Sequence, residues 1–329
     1  MKLKLIPLKR PARIMSYFYV VLILLLLCSV ATYTWFSLSR TPEVNDMALY
    51  VHTPIGMQIS TDPLADDWGV QVDFSKVAGT DCILRPVTWS ENEQRFYAAT
   101  YGMDGRLTDI WEPLNDSRHA NKGNADGYYM MGTVYARCDQ SVTVSLTPAV
   151  EVEEGVKGSG TFVMGTPIWN ADELRHENGG HGAEMSIRIG FLIQKTDLTG
   201  APAGDSVFYI YEPNNDRHLD GMAGYVDTAS IDMTPTLVPQ DRLIGQTMNS
   251  WTESDPVEKN VVVRRLGEFT GDTELFELVP QELAKITIYV WLEGQDIDCT
   301  NMIGQEAQIL ASIQFDAETR NQSDLVPIE

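Results

Sequence analysis

The sequence predicts an all-β protein: an antiparallel, jelly-roll-like β-sandwich with loop insertions, preceded by one N-terminal hydrophobic helix. Apolar and polar residues alternate with a period of two in more than ten short segments, and segments with the period of a helix are nearly absent. Loops rich in Gly, Asn and Asp separate these segments, whereas parallel βαβ units would need helices between them. The alternation indicates strands with one buried and one solvated face, as in antiparallel sheets.

The strand pattern is clearest at residues 68–74 and 185–193, where every second residue is apolar. Trp68 and Trp291 lie in such segments, so we expect both in the core. Residues 115–127 and 151–182 interrupt the pattern and are predicted to be loops or small insertions. The complete set of predicted strands is 47–53, 55–60, 68–74, 95–101, 128–138, 142–146, 185–193, 207–211, 260–265, 275–279, 286–292 and 308–315.

No repeat of fixed period and no Pro/Ser-rich linker divides the chain. We therefore expect a single domain over residues 41–329, with two abutting sandwiches as the alternative.

An apolar segment near the N-terminus predicts export. Residues 14–39 contain no charged side chain, and the basic residues of the first 13 positions precede them. Basic residues before the first apolar segment tend to stay in the cytoplasm, which places residues 41–329 outside. The segment is either a cleaved signal peptide, with Ala31 as the cleavage candidate, or a retained transmembrane helix with an interfacial aromatic belt at residues 33–36. The predicted location is the cell surface or the secreted fraction.

The exported part of the chain is strongly anionic. The first 40 residues hold six basic and no acidic side chains, so the other 289 hold 18 basic against 46 acidic side chains, a net charge of −28. A field of that sign repels phosphate backbones and anionic lipid headgroups, so nucleic acid is excluded as a partner. Cations would be attracted.

The cysteines of the exported part do not define a disulfide. Three positions, Cys82, Cys138 and Cys299, allow at most one internal bridge, and no C-x-x-C spacing indicates a metal site. Isolated cysteines in a domain of this size are also compatible with buried small hydrophobes. No pairing is assigned.

Calcium is the cofactor that acidic turns of the sequence would suit. Acidic turns carry oxygen ligands at alternating positions, at Asp216 and Asp220 and again at Asp296 and Asp298, but neither turn has EF-hand spacing. Asx-rich turns arise routinely from hydrogen bonds to backbone. His176 and His181 stand five residues apart across Gly-Gly, which does not fit the zincin helix.

No catalytic motif is present: the chain has no Gly-x-Ser-x-Gly elbow and no phosphate loop. We therefore expect a protein without enzymatic activity. Trp111 and Trp169 stand beside prolines in loop-like sequence, and they are the candidates for stacking on a sugar.

Residues 31–37, ATYTWFS, lie at the end of the apolar segment and precede the first alternating strand. This arrangement resembles the leader of TasA/camelysin-type secreted bacterial proteins. The resemblance implies a dedicated signal peptidase, a jelly-roll ectodomain and, for some members, assembly into extracellular matrix fibres. Camelysin is classed as a metallopeptidase, but no zinc motif of this chain can be matched to it.

The first strand offers a mechanism for assembly. Met47, Leu49 and Val51 share one face, and after removal of the leader this strand is free to fill the core of a neighbouring copy or to pair within its own subunit. The sequence thus predicts a structural, matrix or adhesive protein that forms a homo-oligomer or fibre. The alternatives are a surface-displayed carbohydrate- or calcium-binding module and, third, a secreted hydrolase.

Overall fold

A computed structural model describes residues 17, 19–26, 28, 46–54, 56–79, 83–90, 94–101, 107–121, 127–153, 156–165, 183–211, 213, 262–266, 274–294, 299 and 308–319. Strands account for 62% of the described residues. This confirms the predicted all-β class. Two large sheets share one apolar core, which gives a sandwich-like arrangement.

The first sheet has six strands and is organised around β17. The first seven residues of β17 pair in parallel with β1, and its last five pair antiparallel with β8. β11 joins β17 on the edge opposite β1, and β3 and β15 are the outer strands. The strands are β1 (Asp46–His52), β3 (Gln71–Asp73), β8 (Val142–Leu146), β11 (Phe162–Gly165), β15 (Glu274–Leu278) and β17 (Gln308–Thr319).

The second sheet has nine strands, and its centre is the ten-residue antiparallel ladder between β12 and β16. β13 and then β14 extend it on one side, while β16 pairs on its other edge with β7 and, at its end, with β4. The strands are β2 (Met57–Ser60), β4 (Pro86–Ser90), β5 (Arg95–Tyr101), β6 (Leu107–Pro113), β7 (Met130–Cys138), β12 (Ile187–Thr196), β13 (Pro202–Tyr211), β14 (Val262–Leu266) and β16 (Leu283–Glu293).

The remaining described elements are small. β9 and β10 form a separate two-stranded sheet, and two short helices and one 3₁₀ turn connect strands. They are β9 (Val150–Glu153), β10 (Val156–Ser159), α1 (Phe74–Ala78), α2 (Asp116–His119) and the 3₁₀ turn Ala183–Ser186.

The main core lies between the two sheets. Alternate residues of β12, from Ile187 to Ile193, and of β16, from Ile286 to Leu292, meet Ile309, Ala311 and Ile313 of β17. These side chains are almost fully buried, as the period-two pattern of each segment predicts.

A second core covers the opposite face of the nine-stranded sheet. It consists of Val87, Trp89, Phe96, Ala98, Leu114, Ala120, Tyr129, Phe208, Ile210, Tyr289 and Trp291. β4 and β5 supply Trp89 and Phe96, whose rings stand edge to face at 5.1 Å between centroids. The prediction of one solvated face is therefore wrong for β12, β13 and β16, since strands distant in sequence cover that face.

Gly190 makes the packing of this aromatic layer possible. It lies in β12 between Ile210 of β13 and Tyr289 of β16. A Cβ atom there would stand 2.6 Å from the Phe208 ring and 3.1 Å from Trp291. The two rings thus occupy the space that a side chain at position 190 would fill.

Three further predictions of strand organisation are wrong. The ladders β1–β17, β13–β14 and β4–β16 are parallel, so the sheets are not purely antiparallel. Part of the predicted loop 151–182 forms strands β9, β10 and β11. Trp68 is half-buried outside any strand, with the Arg137 guanidinium 4.3 Å above its ring, and is not a core residue, whereas Trp291 is fully buried.

Within the predicted N-terminal helix, the described residues 17, 19–26 and 28 are helical and their side chains are exposed. In the part of the chain that the structure describes, no helix combines the length and the apolar character needed to cross a membrane.

We predict that Gly190→Ala destabilises the protein by about 1–3 kcal/mol, because the added methyl forces Phe208 and Trp291 from their positions. The control is Gly204→Ala in β13, where the nearest atom to a new Cβ is Lys195 Cβ at 4.0 Å. Urea unfolding measures both variants. Equal midpoints for the two variants would contradict the role assigned to Gly190.

Candidate functional site

The predicted assembly strand, β1, lies inside its own sheet. Each of its residues pairs with β17, from Asp46 opposite Gln308 to His52 opposite Gln314. On the other edge, only three residues of β1 pair with β3. β1 is therefore an internal strand that is held strongly on one side and weakly on the other.

The two faces of β1 differ in environment. Leu49 and Val51 are fully buried in the main core, while Tyr50 between them is exposed. Met47 lies in β1, but its side chain is outside the described set. In this structure the face that was predicted to fill a neighbour's core fills the core of its own chain.

The connection after β1 is a tight turn. Thr53 donates its backbone N–H to Val70 O at 2.8 Å and its hydroxyl to Met57 O at 3.1 Å. Gly56 has a φ of 99°, in the region that favours glycine. Removal of β1 from its own sheet would need this turn to open.

His52, at the end of β1, is half-buried opposite Gln71 of β3 and Gln314 of β17. Partial burial disfavours the imidazolium and lowers the pKa of His52 below its ordinary value of 6.5. The neutral imidazole is thus the form that suits the folded strand.

Two charged side chains are completely buried at one end of the β12–β16 ladder. Arg188 stands opposite Trp291, and Glu293 follows two residues later on the same face of β16. The Arg188 guanidinium donates to Met185 O at 3.1 Å and to Ile187 O at 3.0 Å, and Glu293 accepts from Trp291 Nε1 at 3.0 Å. Burial of a charge is costly, and these hydrogen bonds offset part of that cost for each side chain.

Several buried polar atoms near these strands have no hydrogen-bond partner among the described residues. They include Ser186 Oγ, in a fully buried side chain, Trp89 Nε1, in the second core, and the Nε atom of Arg188, whose guanidinium is hydrogen-bonded through another nitrogen. An unsatisfied buried donor or acceptor costs about 1–3 kcal/mol. Sequence analysis did not identify Ser186, Arg188 and Glu293 as buried polar side chains, because they occupy positions that the alternation assigns to solvent.

Asp116 anchors α2 to the outer face of the nine-stranded sheet. Its two carboxylate oxygens accept hydrogen bonds from the hydroxyls of Tyr129 and Tyr289, the latter at 3.2 Å. Asn115 caps the same helix by accepting from Ser117 N at 2.8 Å. The two tyrosines lie in the second core, so the carboxylate joins a surface turn to the aromatic layer.

Most predicted site residues lie outside the described residues: Trp169, the calcium candidates Asp216, Asp220, Asp296 and Asp298, the cleavage candidate Ala31, and Cys82. Trp111 pairs with Ala99 in β6, but its side chain is outside the described set. Trp111 thus stands in a strand and not in a loop. Cys138 and Cys299 are buried, and burial raises the pKa of the Cys138 thiol.

Among the described side chains, no three His, Cys, Asp or Glu residues stand close enough together to hold a metal ion. Comparison with protein-family models, curated proteins and solved structures found no match. The resemblance to TasA/camelysin-type proteins therefore stays a prediction.

We predict that the wild-type protein loses stability relative to His52→Gln as the pH falls from about 7 to about 5. The unfolded chain binds a proton on His52 near pH 6.5, whereas the folded chain binds it only at lower pH. The stability that neutral His52 contributes is complete above about pH 6.5, and it is lost as the pH falls through the lower pKa of the folded chain. Urea titrations at several pH values measure the difference, and parallel curves for the two proteins would refute the prediction.

We predict that Tyr129→Phe lowers the free energy of unfolding by about 1.5–3 kcal/mol, because a hydrogen bond to a charged acceptor is lost. In the Asp116→Asn background the same change should cost less. Tyr209→Phe, whose hydroxyl donates to Leu275 O at 2.6 Å, is the control and should be additive with Asp116→Asn. Additive behaviour of Tyr129→Phe would mean that the carboxylate and the hydroxyl act independently.

Proposed function

We propose that this chain is a secreted or cell-surface structural protein, of matrix or adhesive type, that assembles by exchanging β1 between copies. The observation that carries the proposal is the position of β1. It is the first strand after the apolar segment, and its inward side chains Leu49 and Val51 complete the main core. A copy that has lost its own β1 offers the vacant place beside β17 to the β1 of another copy.

Exchange of β1 between copies keeps the contacts of this strand unchanged. Full burial of a leucine or valine side chain contributes about 1.5–3 kcal/mol, so withdrawal of Leu49 and Val51 costs several kcal/mol. The β1 of a second copy restores the same contacts and the same ladder with β17. Since the interactions are equal, protein concentration and the conformation of the connection after β1 decide between monomer and assembly.

The N-terminal segment and the charge of the chain support an exported location. The apolar residues 14–39 follow a basic segment, and the rest of the chain is anionic. We include in the proposal that this segment is a signal peptide or transmembrane helix, that the leader is of the TasA/camelysin type, and that the sandwich is jelly-roll-like. Cleavage after Ala31 would release the segment that leads into β1.

We predict that the full-length chain, expressed in a Gram-positive host with a matching signal peptidase, yields a product whose N-terminus is near residue 32. Sedimentation should show large assemblies whose fraction rises with concentration. N-terminal sequencing and analytical ultracentrifugation measure both properties in one preparation. A product that stays monomeric at high concentration would count against assembly, and an intact N-terminus in the membrane fraction would make it an anchored display domain.

A matched pair of variants tests the role of β1 itself. Val51→Ser removes an inward side chain whose contacts are the same in the monomer and in the exchanged assembly, so it should lower the thermal stability of both, whereas Tyr50→Ser changes the exposed neighbour and should lower neither. Thermal unfolding of the monomeric and the assembled fractions of each variant measures this. Equal effects of the two substitutions would show that assembly does not use the inward face of β1.

A further inference from the structure

His52 lies at the point where β1 would begin to leave its sheet. It is the last residue of β1 and forms the end pair of the ladder with β3, opposite Gln71. The turn that follows is held by Thr53, whose backbone N–H donates to Val70 O at 2.8 Å. Release of β1 breaks three residue pairs with β3 and seven with β17. A change at His52 therefore acts on the end of both ladders and on the turn.

The side chain of His52 stands on the outer face of the six-stranded sheet. Val51 is buried in the main core, so Tyr50 and His52 on either side of it point the other way. The His52 ring is half-buried, with its centroid 6.4 Å from that of the Tyr50 ring. Gln71 of β3 and Gln314 of β17 are its directly opposite neighbours in the sheet. The imidazole is thus partly removed from water between two uncharged residues.

The charged groups on the strands and the helix that pack against β1 do not reverse this effect of burial. On β17, residues 308–314 carry no charge, and Asp316 is the first charged residue beyond them on the face of His52. On β3, Asp73 stands diagonal to His52. α1 carries Lys76, whose side chain is outside the described set. Asp73 would favour the imidazolium, yet the pKa of His52 lies below its ordinary value of 6.5, so burial prevails.

We propose that protonation of His52 releases β1 from its sheet, and that acid therefore speeds the exchange of β1 between copies. This inference rests on the proposed function, because it concerns the same strand. In the closed strand the imidazolium is half-buried, whereas in the released strand it is solvated. The released strand binds a proton near pH 6.5 and the closed strand only at lower pH, so the released fraction rises as the pH falls below about 7.

Acid changes the rate of exchange and not its end point. His52 has the same neighbours whether β1 pairs with β17 of its own copy or of another copy, so its pKa is the same in the monomer and in the assembly. Protonation of His52 therefore leaves the free-energy difference between these two states unchanged. It raises only the population of the released form that lies between them, and the rate of exchange follows that population.

Hydrogen exchange of the purified product at low concentration tests the release of β1. The amides of residues 47–51 are followed in the wild-type protein and in His52→Gln, always at the same pH, so the intrinsic chemistry of amide exchange cancels. The ratio of the wild-type rate to the variant rate should be at least about twofold higher at about pH 5 than at about pH 7.5. The control is His119→Gln, which replaces a half-buried histidine of α2 and should leave the corresponding ratio independent of pH.

The amides of β16 are the internal reference for unfolding of the whole chain. Those of β1 should exchange faster than those of β16, because release of β1 leaves the rest of the fold in place. A ratio that does not change with pH would overturn the proposal, since β1 would then leave its sheet without help from His52. Equal exchange of the β1 and β16 amides at both pH values would also overturn it, since β1 would then leave only when the whole chain unfolds.

Mixing experiments distinguish this inference from the proposed function. Two preparations with different fluorophores are combined, and energy transfer reports the exchange of copies. Relative to His52→Gln, the wild-type protein should mix at least about twofold faster at about pH 5 than at about pH 7.5. The assembled fraction at equilibrium, measured by sedimentation, should depend on pH equally in the two proteins, and a difference would overturn the proposal. A protein that releases β1 in acid but stays monomeric would contradict the proposed function and support the release of β1 by protonation.

Discussion

Burial of both faces of the β12–β16 ladder is the constraint on which the rest of the structure depends. Ten residue pairs join these two strands, and the six-stranded sheet covers one face while β4, β5 and the turn at α2 cover the other. The side chains from Ile187 to Phe191 and from Ile286 to Glu293 are all buried and must therefore be apolar, very small, or hydrogen-bonded within the protein, whereas Gln194 and Lys195 at the other end of the ladder are partly exposed. Gly190 meets this requirement by absence of a side chain, and Tyr289 meets it through its hydrogen bond to Asp116.

The buried charges at the end of the ladder follow from the same constraint. Arg188 and Glu293 lie on the face of the second core, where the Arg188 guanidinium donates to two backbone carbonyls and Glu293 accepts from the Trp291 indole. A slip of one residue of β12 against its partners would turn Arg188 into the main core and away from Glu293, at a cost of several kcal/mol for each buried ion that loses its polar contacts. We infer that the pair specifies the register of the ladder more than it stabilises the fold.

The sequence alone predicts the class and the inner face but not the second core. The alternation from Ile187 to Ile193 indicates a buried face, and these residues are buried. Ser186, Arg188 and Gly190 are polar or lack a side chain, so in the sequence they resemble a solvated face. Their burial could not be predicted, because the strands that cover them come from residues far away in the chain. β9 and β10 escaped prediction since each has four residues and carries glutamates or glycine. Of the predicted site residues, Leu49 and Val51 are described with their side chains, and they fall on one face of a strand as the alternation requires.

Strands β1 and β9 differ in what the pairing of a further strand would gain. β1 already has its apolar side chains in a core, so exchange between copies replaces contacts with identical ones and adds no buried area. The equilibrium between the monomer and the exchanged assembly is consequently sensitive to protein concentration and to the conformation of the connection after β1. β9 has exposed valines, and covering each of them adds up to about 1.5 kcal/mol of hydrophobic free energy that the isolated chain does not have. Addition of a strand to β9 therefore draws on unused apolar surface, while exchange of β1 redistributes contacts that the fold has already formed.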